Sequence, residues 1–279
     1  MTNLKLQMPK LSIITINRNN ASGLRKTMES VFSQTYRDFE YIIVDGASTD
    51  GSVDVIREYA ERPITNNHSP LTFIWSSESD TGIYNAMNKG VRMATGEYTL
   101  MLNSGDFLVD EHVINRIMPL LDGTDIVQGN VISLEAGKEI VKNGYGKSDI
   151  TFIDVMKGHF LHQASFCRRD LFDRYGYFDE SYKINGDTVF YAKCLGFGDA
   201  TFKYVNQNIA YFDTTGISAD PEGKYRKLRN EEDVRYEQMF SQRMWELFYK
   251  EEKKIKLYDK LHAHKWSWNL TMLIARMLK

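Results

Sequence analysis

Two acidic segments of this 279-residue chain carry residue types that suit work on a nucleotide and its phosphates. In VDGASTDGS, Asp45 closes an apolar run. Its carboxylate therefore sits at the end of a buried strand, where it can accept a hydrogen bond from a nucleobase imide or a ribose hydroxyl. The same string is rich in turn formers and helix caps, so a plain turn competes with that reading. In LNSGD (Leu102–Asp106), which follows the apolar YTLML, Asp106 can ligate a hard divalent ion bridging two phosphates. Mg²⁺ and Mn²⁺ take oxygen ligands, and Mg²⁺ usually keeps few protein carboxylates beside phosphate oxygens. Asn-Ser-Gly-Asp is also a good turn. Neither GxGxxG nor GxxxxGK[ST] occurs, which excludes the common dinucleotide and P-loop phosphate cradles.

These residues need a scaffold that brings them together. LSIITI, 11–16, and FEYIIV, 39–44, are short β-branched runs, each followed by a polar loop and a helical pattern, over 23–34 and 53–60. A third strand is expected over 71–75, a helix over 83–93 and a fourth strand over 97–102. Strands alternating with helices at this spacing imply βαβ units and a mainly parallel sheet, and continuous apolar strands fit burial on both faces. In such sheets ligands bind beyond the carboxyl ends of the strands, where Asn17, Asp45, Asp80 and the loop 103–106 all fall. The middle of the chain is less regular. Strands are expected over 125–133 and 200–212, a β-like stretch within 159–168, and short helices over 170–175 and 188–195. After Pro221 the pattern becomes long, charged helix, with no Gly or Pro from Lys224 to Lys265.

Composition excludes several classes of protein. Hydrophobic residues at 42% and charged residues at 26% are ordinary for a globular chain, not a disordered one. A net charge of −2 argues against a nucleic-acid polyelectrolyte binder. Charge is uneven, however. From Gly223 onward there are 14 Lys/Arg against 8 Asp/Glu, so the first 222 residues carry −8 and the tail +6. Cys167 and Cys194 suit free, buried thiols in a reducing cytosol. The N-terminal MTNLKLQMPK lacks the apolar core of a signal peptide, and no apolar run is long enough to span a bilayer.

Taken together, SIITINRNN, YIIVDGASTDGS, SESDTGIYNAMNKG and ATGEYTLMLNSGD, in that order, resemble family 2 of the glycosyltransferases, inverting enzymes of GT-A fold. The resemblance covers about residues 10–220, and the GIYNAMNKG and LNSGD forms resemble a bacterial branch that builds surface polysaccharides. It implies an α/β, GT-A type nucleotide-sugar-binding fold: a mainly parallel mixed sheet flanked by helices, with a C-terminal helical extension. The implied division is a catalytic domain over 1–221, with a donor half at about 10–110 and an acceptor half at about 111–221, then a basic helical extension over 222–279. Thr15 and Asn17 would line the nucleotide pocket and Asp45 would contact the base. Asp80 would lie near the uridine or sugar, and Asn103 and Ser104 would also serve the donor. Asp106 would hold Mn²⁺ or Mg²⁺. Asp187, in KINGDTVFYAKCLGFG, matches the family's catalytic base, although an Asp there is also a helix N-cap. His162 and Gln163, in FLHQASFCRRD, would begin the acceptor-side wall. DTTGIS would be the closing loop, with Gly216 its hinge and Ser218 a donor contact. Three departures stand out: glycine replaces an acidic residue of the family pattern at Gly46 and at Gly186, and LNSGD keeps only the last carboxylate of Asp-x-Asp-Asp.

The resemblance thus implies metal-assisted inverting transfer of a hexosyl or N-acetylhexosaminyl group from a nucleotide-diphosphate sugar, with a UDP-sugar the leading donor, to a glycan or lipid-linked acceptor. The implied setting is cytoplasmic, with peripheral contact at the inner face of the membrane as an alternative. The tail, KWSWNLTMLIARMLK, mixes Trp, Leu, Met and Ile with basic residues. It suits packing on the catalytic domain or on a second copy, and it also suits an anionic lipid surface. Two rival readings are a nucleotidyltransferase, which would show a Gly-rich N-terminal loop that SIITINRNN lacks, and a catalytically dead binding module, against which Asp45, Asp106 and Asp187 argue.

Overall fold

The computed structural model describes residues 10–61, 71–135, 137–217, 219, 223–246, 248–250 and 253. The chain divides into two compact units, Met1–Asp233 and Val234–Lys279. The first opens with β1 (Leu11–Asn17), α1 (Ala21–Phe32), β2 (Glu40–Asp45), α2 (Ser52–Ala60), β3 (Thr72–Ser77), α3 (Ile83–Met93) and β4 (Tyr98–Met101). Every residue of β1, β2 and β4 is buried, as their continuous apolar runs require. β1 lies between β2 and β4, and β3 flanks β2, all parallel. Asn20 caps α1 by accepting from the Gly23 N–H, and Leu24, Met28 and Val31 recur at helical spacing on its buried face. Each such fully buried side chain contributes about 1.5–3 kcal/mol of transfer free energy. Gly90 lets α3 approach β1, because a Cβ there would overlap Ile14.

The part of the chain after β4 departs from parallel order. It comprises β5 (Phe107–Leu108), α4 (Val113–Ile117), β6 (Ile126–Glu135), β7 (Lys138–Lys142), α5 (Phe152–Met156), β8 (Ser165–Arg168), α6 (Asp170–Tyr175), α7 (Gly186–Ala192), β9 (Phe202–Phe212) and the beginning of α8 (Arg226–Glu237). One sheet runs β3-β2-β1-β4-β8-β6-β9-β5, with β7 paired to β6. β8 is antiparallel to both β4 and β6, while β9 is parallel to β6. Within the irregular 141–158 stretch, Thr151 and Asp154 form a reciprocal capping box that starts α5.

In the second unit the long charged helix expected without interruption is broken. A turn at 238–241 separates α8 from a further helical stretch that starts at Gln242, where the Ser241 hydroxyl accepts from the Met244 N–H. A serine cap is enough to restart a helix without Gly or Pro. The apolar tail at 265–279 lies outside the described residues. Among the described residues no helix is long and apolar enough to cross a membrane.

Candidate active site

The carboxyl ends of the first three strands set the floor. Sheet register places Asn17 beside Asp45 and Asp45 beside Ser77. Asp45 is fully buried and accepts four hydrogen bonds. Asn17 Nδ2 (2.8 Å) and Ser48 Oγ (2.6 Å) reach Oδ1, and the Ser48 N–H (2.9 Å) and Ser77 Oγ (2.6 Å) reach Oδ2. Burial alone would raise its pKa, but these donors outweigh it and hold the carboxyl below its ordinary value. Asp45 is therefore anchored to its own turn and to the two neighbouring strand ends. Thr15 is likewise fully buried, donating to the Leu102 carbonyl at 2.7 Å. Both residues expected at the nucleotide pocket thus brace the strand ends that carry Asn17 and the 102–106 loop. Asp45→Asn should consequently cost about 1.5–3 kcal/mol of unfolding free energy, the value of a hydrogen bond to a charged group. A denaturant titration checks this, and a variant as stable as wild type would show those bonds to be idle.

The other described residues expected at the donor line a common cavity. One cavity of about 360 Å³ is lined by Asn17, Asp80, Asn103, Ser104 and Asp106, by His162 and Gln163, and by Gly216. Asp213 and Ile217 of the DTTGIS segment join them, as do Arg18 and Phe212, which sequence reasoning did not single out. Ser218 lies outside the described residues. The 103–106 loop is stapled by Thr27 of α1, whose hydroxyl donates to the Asp106 carbonyl at 2.6 Å and accepts from the Gly105 N–H at 3.0 Å. Burial pushes the Asp106 carboxyl up to about 7, against the lowering effects of the Asp213 N–H (2.8 Å to Oδ1) and the charge of His162. The side-chain oxygens of Asn17 and Asn103 are buried without a hydrogen-bond partner among the described residues. A carboxyl pushed toward neutrality and two unpartnered amide oxygens on residues of the same cavity lining are hard oxygen donors of the kind that suit Mg²⁺ or Mn²⁺. Among the described residues no three His, Cys, Asp or Glu side chains form a metal cluster, so further ligands would come from those amides and the substrate phosphates.

The three glycines that replace acidic residues share a physical cause. A Cβ at Gly46 would overlap the Asp80 carboxylate, one at Gly105 would overlap the Asp213 carboxylate, and one at Gly186 would overlap the Tyr84 ring. At the first two positions a carboxylate from a distant segment fills the space a local side chain would need. Asp80 is held there by the Gly82 N–H at 3.0 Å, with Arg18 3.7 Å away.

His162 Nδ1 lies 2.9 Å from Asp187 Oδ2, and the Tyr84 hydroxyl lies 3.0 Å from Asp187 Oδ1. Asp187 is the second residue of α7, inside the helix and not at the expected cap; the N-cap position is Asn185, whose side chain makes no capping hydrogen bond. Burial opposes the charge on both groups. Their mutual hydrogen bond and attraction overcome it, lowering the Asp187 pKa and raising that of His162. His162 lines the cavity; Asp187 does not, and reaches it through the imidazole. Neither asparagine of GIYNAMNKG lines the cavity. Asn85 and Asn88 donate to the two oxygens of Glu180 at 2.9 Å, and Asn88 pairs with the Phe178 backbone, which ties α3 to the acceptor half.

Comparison with known proteins agrees with this geometry. The family model for glycosyl transferase family 2 matches residues 12–178. The chain is 30% identical over 215 residues to a PGL/p-HBAD biosynthesis glycosyltransferase of Mycobacterium bovis, covering 75% of this chain and 78% of that one. It is also 30% identical over 244 residues to an uncharacterized glycosyltransferase of Mycobacterium tuberculosis, covering 81% and 84%. The crystal structure of S. aureus TarS 1-349 in complex with UDP-GlcNAc superposes with a TM-score of 0.61 at 19% identity, covering 73% of this chain and 58% of TarS 1-349. The mannosyltransferase PcManGT of Pyrobaculum calidifontis, in complex with GDP-Man and Mn²⁺, gives 0.55 at 20% identity, covering 80% and 61%. The chain thus spans about 60% of each of these two structures, whose likeness establishes the GT-A fold.

Proposed function

The chain belongs to glycosyl transferase family 2, and from that premise we propose that it moves a hexosyl or N-acetylhexosaminyl group from a nucleotide-diphosphate sugar, with inversion, to a hydroxyl of a glycan or lipid-linked acceptor in surface polysaccharide synthesis. The observation that carries this reading is the cavity that the Asp106 loop and His162 both line, with Asp187 hydrogen-bonded to the imidazole behind it. UDP-sugar is the leading donor. Asn17, Asp80, Asn103 and Ser104 would orient it, with Gly216 in the segment that closes over it. Asp106 would hold Mn²⁺ or Mg²⁺, and a bound divalent ion supplies positive charge that steadies the departing diphosphate.

The acceptor oxygen attacks the anomeric carbon from the face opposite the diphosphate. The new C–O bond forms as the old one breaks, and the bonding pair leaves with the diphosphate. The hydroxyl proton passes to the His162–Asp187 pair, where the imidazole meets the acceptor and the carboxylate stabilises the charge that results. Cytoplasmic location, with the C-terminal helices offered to a membrane surface or a second copy, is part of the same reading.

Thermal shift with a panel of nucleoside diphosphates and their sugars tests donor binding. A ligand at about 100 times its Kd adds about 2.7 kcal/mol of stability. A panel without any shift in the presence of Mn²⁺ would refute the reading. The Asp106 pKa sets a pH signature. A cation must displace its proton below pH about 7, so Mn²⁺ stabilisation should grow from pH 6 to pH 8. Metal-free protein should show the opposite sign. Folded Asp106 keeps its proton to about 7 while the unfolded chain loses it from 3.8, so this group's contribution to stability falls as pH rises through that window. Equal Mn²⁺ shifts at both pH values would separate Asp106 from the metal.

A further inference from the structure

α8 brings a buried carboxylate to the segment that precedes the base. Glu232 is 2% exposed and accepts three consecutive backbone N–H groups: Lys183 at 2.6 Å on Oε1, and Ile184 and Asn185, each at 2.9 Å, on Oε2. Its neighbour Asp233 accepts from Asn185 Nδ2 at 2.7 Å. Charge-assisted bonds to backbone N–H groups are roughly twice as strong as neutral ones and fix a loop in one geometry. The segment so fixed has a second attachment. The Tyr84 hydroxyl lies 2.6 Å from the Ile184 carbonyl and 3.0 Å from Asp187 Oδ1, and Asp187 in turn meets His162. The same helix reaches the donor side, where Arg229 Nη2 donates to the carbonyl of Ile217, a cavity residue, at 3.5 Å.

We propose that Glu232 is a positioning residue for transfer: by holding 183–185 it sets where Asp187 meets His162, and it makes α8 part of the acceptor-side machinery. The proposal rests on the glycosyltransferase reading above. Glu232 touches neither sugar nor acceptor, so its effect belongs to turnover and not to donor binding. A misplacement of about 1 Å at a reacting group can cost about 100-fold in rate.

The test follows nucleoside diphosphate release, with water as acceptor, from whichever nucleotide sugar the wild-type chain turns over fastest with Mn²⁺. Glu232→Gln keeps size and removes one acceptor oxygen. Its kcat should fall by about 10- to 100-fold while the donor KM stays within about twofold. Placed on a His162→Asn background, it should cost nothing further, because the pair it positions is already gone. A kcat within about twofold of wild type, a parallel loss in kcat and donor binding, or the full loss repeated on the His162→Asn background would each overturn the proposal. Should Glu232→Gln fail to fold, the same cycle with Glu232→Asp, which keeps the charge and shortens the reach, decides the matter by the same criteria. Failure of the wild-type chain to turn over any nucleotide sugar would instead count against the glycosyltransferase reading.

Discussion

Asp187→Asn should leave nucleotide binding within about twofold of wild type while nucleoside diphosphate release falls by roughly 100-fold or more, the usual scale for general-base catalysis. The split follows from placement. Asp187 contacts His162 and Tyr84 and does not line the cavity where the donor would sit. An amide can still hydrogen-bond both neighbours, so folding should change little. It cannot stabilise a protonated imidazole, so the chemistry fails. His162→Asn should lose a similar factor, and the double variant no more than either alone, as expected of groups acting as a unit. A variant at position 187 that turns over like wild type would leave the hydrogen-bonded pair a purely structural feature.

Asp106→Ala should lower turnover by at least about 100- to 1000-fold, the loss found when one preorganised electrostatic group is removed from a transition state. Unlike the Asp187 variant, it should also abolish the stabilisation that Mn²⁺ confers in the presence of UDP. Removing a buried carboxyl that burial has pushed up to about 7 relieves an electrostatic cost, so the metal-free variant should be no less stable than wild type above that pH. Calorimetric titration of Mn²⁺ with UDP into the variant reads the effect directly. An unchanged Mn²⁺ affinity would move the cation away from this carboxyl.

The donor half was legible because its signals are local. β1, β2 and β4 are apolar runs between turn formers, and a parallel sheet fixes where their ends lie. Asn17, Asp80, Asn103, Ser104 and Asp106 accordingly reach one cavity. Asp45 was harder. A strand-end carboxylate looks the same in sequence whether or not its own turn also holds it, and only the positions of Ser48 and Ser77 show that this one is held. The acceptor half depends on long-range pairs that no window of sequence contains. Asp213 fills the space beside Gly105 from 108 residues away, and Tyr84 reaches Asp187 across 103. One signal was available: a glycine in place of an expected acidic side chain asks what occupies the vacated space. A second was the Thr151–Asp154 capping box, a helix start within what read as irregular chain.

The most direct test of donor chemistry in this cavity is the release of nucleoside diphosphate from a panel of UDP- and GDP-sugars with Mn²⁺, following by proton NMR the anomer of the sugar first set free. At least one α-linked donor should be turned over, giving the β-anomer first, with release collapsing in Asp106→Ala and in Asp187→Asn. Release that persists in both variants, or a first product of retained configuration, would contradict a single-displacement glycosyltransferase site built on the Asp106 loop and the His162–Asp187 pair.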